Sequence, residues 1–131
     1  MRVEARHLSG FRFELRSGDK VAFSDQRAEF GGEDTAPMPS EFFLFSVAAC
    51  FGQAVAHVAR KMREPLADLR LAVEGEKDAR AFRFRRVAVT VEVSCQAAKL
   101  PRIIELARQY CFITNSLAPD IEVAFTGKAR P

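Results

Sequence analysis

Residues 40–60, SEFFLFSVAACFGQAVAHVAR, are the most apolar stretch of the chain and constrain its fold more than any other segment. Pro39 cannot continue a helix backwards, Ser40 can cap one, and Glu41 would sit favourably in its first turn. Pro65 disfavours helical geometry at Glu64, so the spacing predicts a single long helix over 41–62. At about 100° per residue, Ser46, Cys50, Gln53 and His57 stack into one polar stripe, and the rest of the circumference is apolar. One small sheet cannot cover such a helix, which predicts packing against a second subunit. A bilayer crossing needs roughly 20 apolar residues. The run from 42 to 56 is shorter and carries Ser46 and Gln53, so a core helix without membrane contact is expected.

The flanking segments alternate. Phe11, Phe13 and Leu15, then Val21 and Phe23, surround the turn-forming Arg16-Ser17-Gly18-Asp19 and predict a β-hairpin over 10–24. Residues 31–39 read as a loop. Leu69, Leu71 and Val73 form a strand ending at Gly75. In the next strand Phe82 and Phe84 have one parity and Val87, Val89, Val91, Val93 and Cys95 the other, which predicts a bulge near Arg85-Arg86. Leu100, Ile103, Ile104, Ala107 and Cys111 repeat at helical spacing, and Ile121, Val123 and Phe125 close the chain as a strand. The order is that of an α+β fold, and 131 residues fit a single domain spanning 1–131.

The net charge of +3 permits an anionic partner without requiring one. Three cysteines without a C-x-x-C argue against a disulfide framework or structural zinc, and Met1-Arg2-Val3-Glu4-Ala5-Arg6 lacks the apolar core of a signal peptide. A reducing, cytoplasmic setting is the expectation, where a working cysteine pair is transient and catalytic.

Cys50 lies among polar residues rather than among the phenylalanines, which points to thiol chemistry. A reactive thiol needs access and a nearby cation. His57, two turns on, is about 10 Å away along the helix and too far for contact. Glu41, nine residues before Cys50, falls on the opposite helix face. The cation is better sought on the hairpin, at Arg16 or Arg12. Cys95, on the valine face, reads as a small core residue. Cys111 continues an apolar stripe and fits either a core cysteine or a redox partner. The spacing of Cys50, His57 and Cys111 matches no common zinc pattern. Arg80-Ala81-Phe82-Arg83-Phe84-Arg85-Arg86 has the mixture of a single-strand nucleic-acid platform, but fits a half-buried strand with a basic face better.

Pro37-Met38-Pro39-Ser40-Glu41-Phe42-Phe43-Leu44-Phe45-Ser46-Val47-Ala48-Ala49-Cys50 resembles the P-x-E-L-L-L-A-A-x-x-A-C motif of the OsmC/Ohr superfamily (osmotically inducible protein C and organic hydroperoxide resistance protein). Tyr110-Cys111-Phe112-Ile113-Thr114-Asn115-Ser116-Leu117 resembles its second motif, C-P-V-S-x-x-L, with Phe112 in place of the proline. Residues 65–75 are similar to the segment that follows its central helix.

The resemblance implies an OsmC-like fold: an N-terminal β-hairpin, a long central helix, antiparallel strands and a second helix, in an intertwined homodimer. It implies a thiol peroxidase for organic hydroperoxides that needs no metal or flavin cofactor. Cys50 would become a sulfenic acid and Cys111 would close a disulfide with it. A dithiol of the dihydrolipoyl type would reduce that bridge. Phe42, Phe45, Phe51 and Phe112 would favour organic peroxides. The family glutamate falls ten residues before the first cysteine, where this chain has Ser40. Glu41 is its displaced counterpart, and Arg16 lies near the position of the family arginine. A non-enzymatic module binding an apolar or thiol ligand on the same fold is the alternative; nucleic acid is not an expected partner.

Overall fold

The apolar residues alternate where the chain is extended and recur every three to four where it is helical, and the computed structural model, which describes all residues Met1–Pro131, follows that division. The chain divides into two compact units, Met1–Phe43 and Leu44–Pro131.

The first unit is built on an antiparallel sheet of β1 (Glu4–Ser9), β2 (Arg12–Ser17) and β3 (Lys20–Ser24). The expected hairpin is β2–β3, closed by Gly18 at a φ of 59°, a turn conformation open to glycine. The sequence pattern did not announce β1, because Glu-Ala-Arg-His-Leu-Ser has too few apolar residues to show a period of two. Register also separates two groups that the alternation alone had left together. Phe13 and Leu15 face Ser24 and Ala22, whereas Phe23 and Val21 face Glu14 and Arg16. Directly opposed residues share a face, so this sheet carries apolar side chains on both sides.

In the second unit β4 (Ala67–Lys77) pairs antiparallel with β5 (Phe84–Ser94), and β6 (Glu122–Arg130) pairs parallel with β5. A parallel partner needs a crossover, and the chain makes it through α2 (Leu100–Tyr110) and the short α3 (Phe112–Asn115). Val87, Val89, Val91 and Val93 are at most 1% exposed, and each contributes about 2 kcal/mol by leaving water. Leu71, Val73 and Gly75 of β4, and Val123, Phe125 and Gly127 of β6, stand beside them. The long helix α1 (Pro39–Lys61) and α2 cover this face: Phe51 stacks on Phe125 at 4.5 Å, and a Cβ on Gly127 would strike Ile104 and Leu100. The other face is charged, with Arg86–Glu122 and Lys128–Glu92 across β5 and β6. The predicted bulge is present: Glu76 pairs with Arg86 and Lys77 with Phe84, which leaves Arg85 as the extra residue.

Helix α1 is long and apolar enough to span a bilayer by length and composition. Val47, Phe51, Ala54, Val55, Val58 and Ala59 are buried in the core, however. Its N-cap is Met38 rather than Ser40, because Pro39 takes the first helical position, for which its φ is preset. Glu41 at the third position accepts the Met38 N–H at 3.1 Å, one half of a capping box. At the other end Glu64 N–H bonds to Ala59 O and Arg63 N–H to Arg60 O, a Schellman closure with Arg63 at a φ of 53°. Glycine is the usual residue there. Arg63→Gly is therefore expected to stabilise the fold by about 1 kcal/mol, read as a rise in the urea midpoint at unchanged slope.

Candidate active site

Cys50 lies in the middle of α1 and is half-buried. Cys111 falls between α2 and α3, where the backbone leaves the helix at φ −84° and ψ 94°, so that it ends one helix and caps the next. It is 0% exposed. The two thiols are neighbours: Cys50, 61 positions before Cys111 (111 − 50), acts directly on the Cys111 thiol. Both are free thiols. Burial first, and then the neighbouring Cys50 thiol, push Cys111 above the ordinary thiol value. The Thr114 hydroxyl and amide reach the same sulfur and pull the other way, and Thr114 Oγ1 also donates to Cys111 O at 3.3 Å.

The surroundings sort the other candidates. His57 packs edge-on against Tyr110 at 4.9 Å between ring centres, and Lys61 Nζ is 3.4 Å from the Tyr110 hydroxyl. Phe51 is a fully buried core residue, while Phe112 is 71% exposed. Cys95 lies just beyond the end of β5, because the next amide, Gln96 N–H, turns to the buried Glu64 carboxylate, which Lys99 also holds at 2.6 Å. Burial and then the Glu64 charge push the Cys95 thiol up. Three of the four arginines in 80–86 are paired: Arg83 forks onto Asp120 at 2.7 and 3.0 Å, Arg85 meets Glu76 and Arg86 meets Glu122. That leaves little free charge for a phosphate backbone. No three side chains of the metal-binding types come together that could hold an ion.

In the first unit the acid and the expected arginine do not pair. Arg16 donates to Glu14 at 3.1 Å, and this contact holds the Glu14 carboxyl below its usual range. Glu41 is instead gripped through both oxygens by Arg27, at 2.9 and 3.1 Å. Arg27 also reaches Asp34 at 3.0 Å. The two carboxylates, Asp34 first, keep its guanidinium firmly charged. Arg27 stands in the loop after β3 and escaped the sequence reading, since a lone arginine outside any periodic segment gives no signal.

The known proteins that this chain resembles share its architecture. Among curated proteins none matches it. Among solved structures, an OsmC-like protein of Mycoplasma pneumoniae superposes with a TM-score of 0.84 at 15% identity, over 98% of this chain and 94% of its own. An organic hydroperoxide resistance protein of Elizabethkingia anophelis gives 0.78 at 20% identity, over 99% and 97%. An organic hydroperoxide resistance protein OsmC of Legionella pneumophila gives 0.74 at 21% identity, over 97% and 95%. The profile of the OsmC-like protein family matches residues 31–126, from the loop before α1 into β6, and the chain belongs to that family.

Proposed function

We propose that this protein is a thiol peroxidase that reduces organic hydroperoxides, with Cys50 as the attacking thiol and Cys111 as the resolving one. The observation that carries this reading is the meeting of a half-open thiol with a closed one across 61 positions of chain (111 − 50). The Cys50 thiolate attacks one peroxide oxygen, the O–O bond breaks, and the alkoxide takes a proton and leaves as the alcohol. Cys50 becomes a sulfenic acid. Cys111 then gives up its proton and attacks the Cys50 sulfur, and water leaves. An external dithiol, of the dihydrolipoyl type by family resemblance, restores both thiols by exchange. The 131 residues act as one domain in an intertwined homodimer. The face of α1 that carries Phe45, Ala49, Gln53 and Ala56, exposed in the single chain, supports this assembly. A cytoplasmic, reducing setting suits the cycle.

The test counts thiols. One equivalent of cumene hydroperoxide added to reduced protein should remove two of the three free thiols rapidly, and peptide mapping should find a Cys50–Cys111 bridge. Three persisting thiols, with peroxide consumed no faster than by free cysteine, would refute the proposal.

By family resemblance, Glu41 and an arginine belong to the proposed machinery. The support for Arg27 in this role, rather than Arg16, is its double hydrogen bond to Glu41. A fixed guanidinium can favour a thiolate and the charge developing as the O–O bond breaks. Arg27→Gln should slow peroxide consumption by about 10–100-fold. Arg16→Gln, which loses an exposed pair with Glu14, should stay within about twofold of wild type. Second-order rates from stopped-flow mixing with the hydroperoxide separate the two.

A further inference from the structure

We infer that Asp25 is the positioning residue for the Arg27–Glu41 pair: its carboxylate ties together the two ends of the loop that carries Arg27. The inference deepens the proposed function and rests on it, because Arg27 matters only if the chain performs that chemistry. Asp25 follows β3 directly and is 1% exposed, a buried charge that none of the steps above uses. Its Oδ1 accepts the Gln26 N–H at 2.8 Å, and its Oδ2 accepts the Thr35 hydroxyl at 2.7 Å and the Thr35 N–H at 3.1 Å. The Glu33 amide also reaches it. The main chain repeats the closure: Asp25 N–H bonds to Pro37 O at 3.2 Å and Asp34 N–H to Gln26 O at 3.0 Å.

Arg27 is enclosed by this tie. Its carbonyl accepts the Phe30 and Gly32 amides at 2.9 and 3.1 Å, and a Cβ on Gly32 would collide with the Gln26 backbone, so the loop is close-packed. Asp34, which holds the Arg27 guanidinium, lies between two residues whose amides bind Asp25. A long arginine side chain loses considerable rotamer freedom on pairing with Glu41. A loop fixed at both ends reduces that loss, because the guanidinium starts from one place. Burial alone would push Asp25 up, but the Thr35 hydroxyl and the surrounding amides outweigh it and hold the carboxyl at about 2. The tie therefore stays charged and intact throughout the neutral range and loosens only as pH falls from about 4 toward 2.

The experiment compares Asp25→Asn and Thr35→Val, alone and in an Arg27→Gln background. The first variant replaces the carboxylate at constant shape. The second removes one donor and leaves the charge, and it carries the comparison if the first does not fold. Limited trypsin digestion with mass mapping reports cleavage at Arg27–Ala28, and stopped flow reports the rate with cumene hydroperoxide.

Cleavage there should accelerate about tenfold in either variant. The peroxide rate should fall toward that of Arg27→Gln, with no further fall when either change is added to Arg27→Gln. Unchanged cleavage in an active protein overturns the inference alone. So does a fall that multiplies with that of Arg27→Gln, since Asp25 would then act on the fold at large. A wild-type protein inert toward peroxide overturns the functional reading beneath it.

Discussion

Cys50→Ser is expected to reduce hydroperoxide turnover by about a thousandfold or more, to the rate of free thiol in the buffer. The effect is large because no other group can replace it. Attack on the O–O bond requires a thiolate, and a serine hydroxyl is far too weak an acid to supply its equivalent at neutral pH. Cys111 is fully buried and pushed toward its protonated form, and Cys95 is raised by burial as well. The fold should be spared, since Cys50 is half-buried and serine is nearly its size. Coupled peroxide assays with dithiothreitol as reductant, together with circular dichroism, measure both halves of the expectation. Turnover persisting in Cys50→Ser would place the chemistry elsewhere.

Cys111→Ser should act later. The first equivalent of peroxide is consumed at the wild-type rate, because Cys50 is untouched, and the sulfenic acid then has no partner. Mass spectrometry should find Cys50 as sulfenic acid within one turnover and as sulfinic and sulfonic acids with excess peroxide. Steady-state turnover with a dithiol should fall by about tenfold or more, since the reductant must meet a sulfenic acid without a bridge. In the wild type, the closed position of Cys111 predicts a pH signature. Its thiol sits above the ordinary value, so the rate of bridge formation should still be climbing about tenfold per pH unit as the solution reaches the ordinary thiol range. A bridge step independent of pH between 7 and 9 would contradict a resolving thiol of this kind.

The repeating side chains made most of the scaffold legible. The helix through Cys50, the valine strand with its extra residue at Arg85, and the α2 stripe ending at Cys111 all have enough turns or alternations for their period to show. The family motifs then directed attention to Cys50 and Cys111 as a pair. Two kinds of feature stayed hidden. Pairing between strands depends on register, which is why β1 and the opposite facing of Phe23 and Phe13 emerged only from the ladder. Single polar contacts across loops depend on where one side chain ends up. On paper Arg16 and Arg12 are the visible cations and Arg27 gives no signal; the position of Glu41 against Arg27, and of Glu14 against Arg16, emerges only from the structure.

The parallel pairing of β6 with β5 bears on the order in which the fold is made. Antiparallel neighbours can zip up from a turn, but this pair closes only after the whole intervening crossover has been made. Cys111 lies within that crossover, and β6 follows it in the chain. The segment that carries Cys111 is thus closed by one long-range pairing. Until β6 pairs with β5 one end of that segment is free, so a non-local step of folding comes before Cys111 is held from both sides.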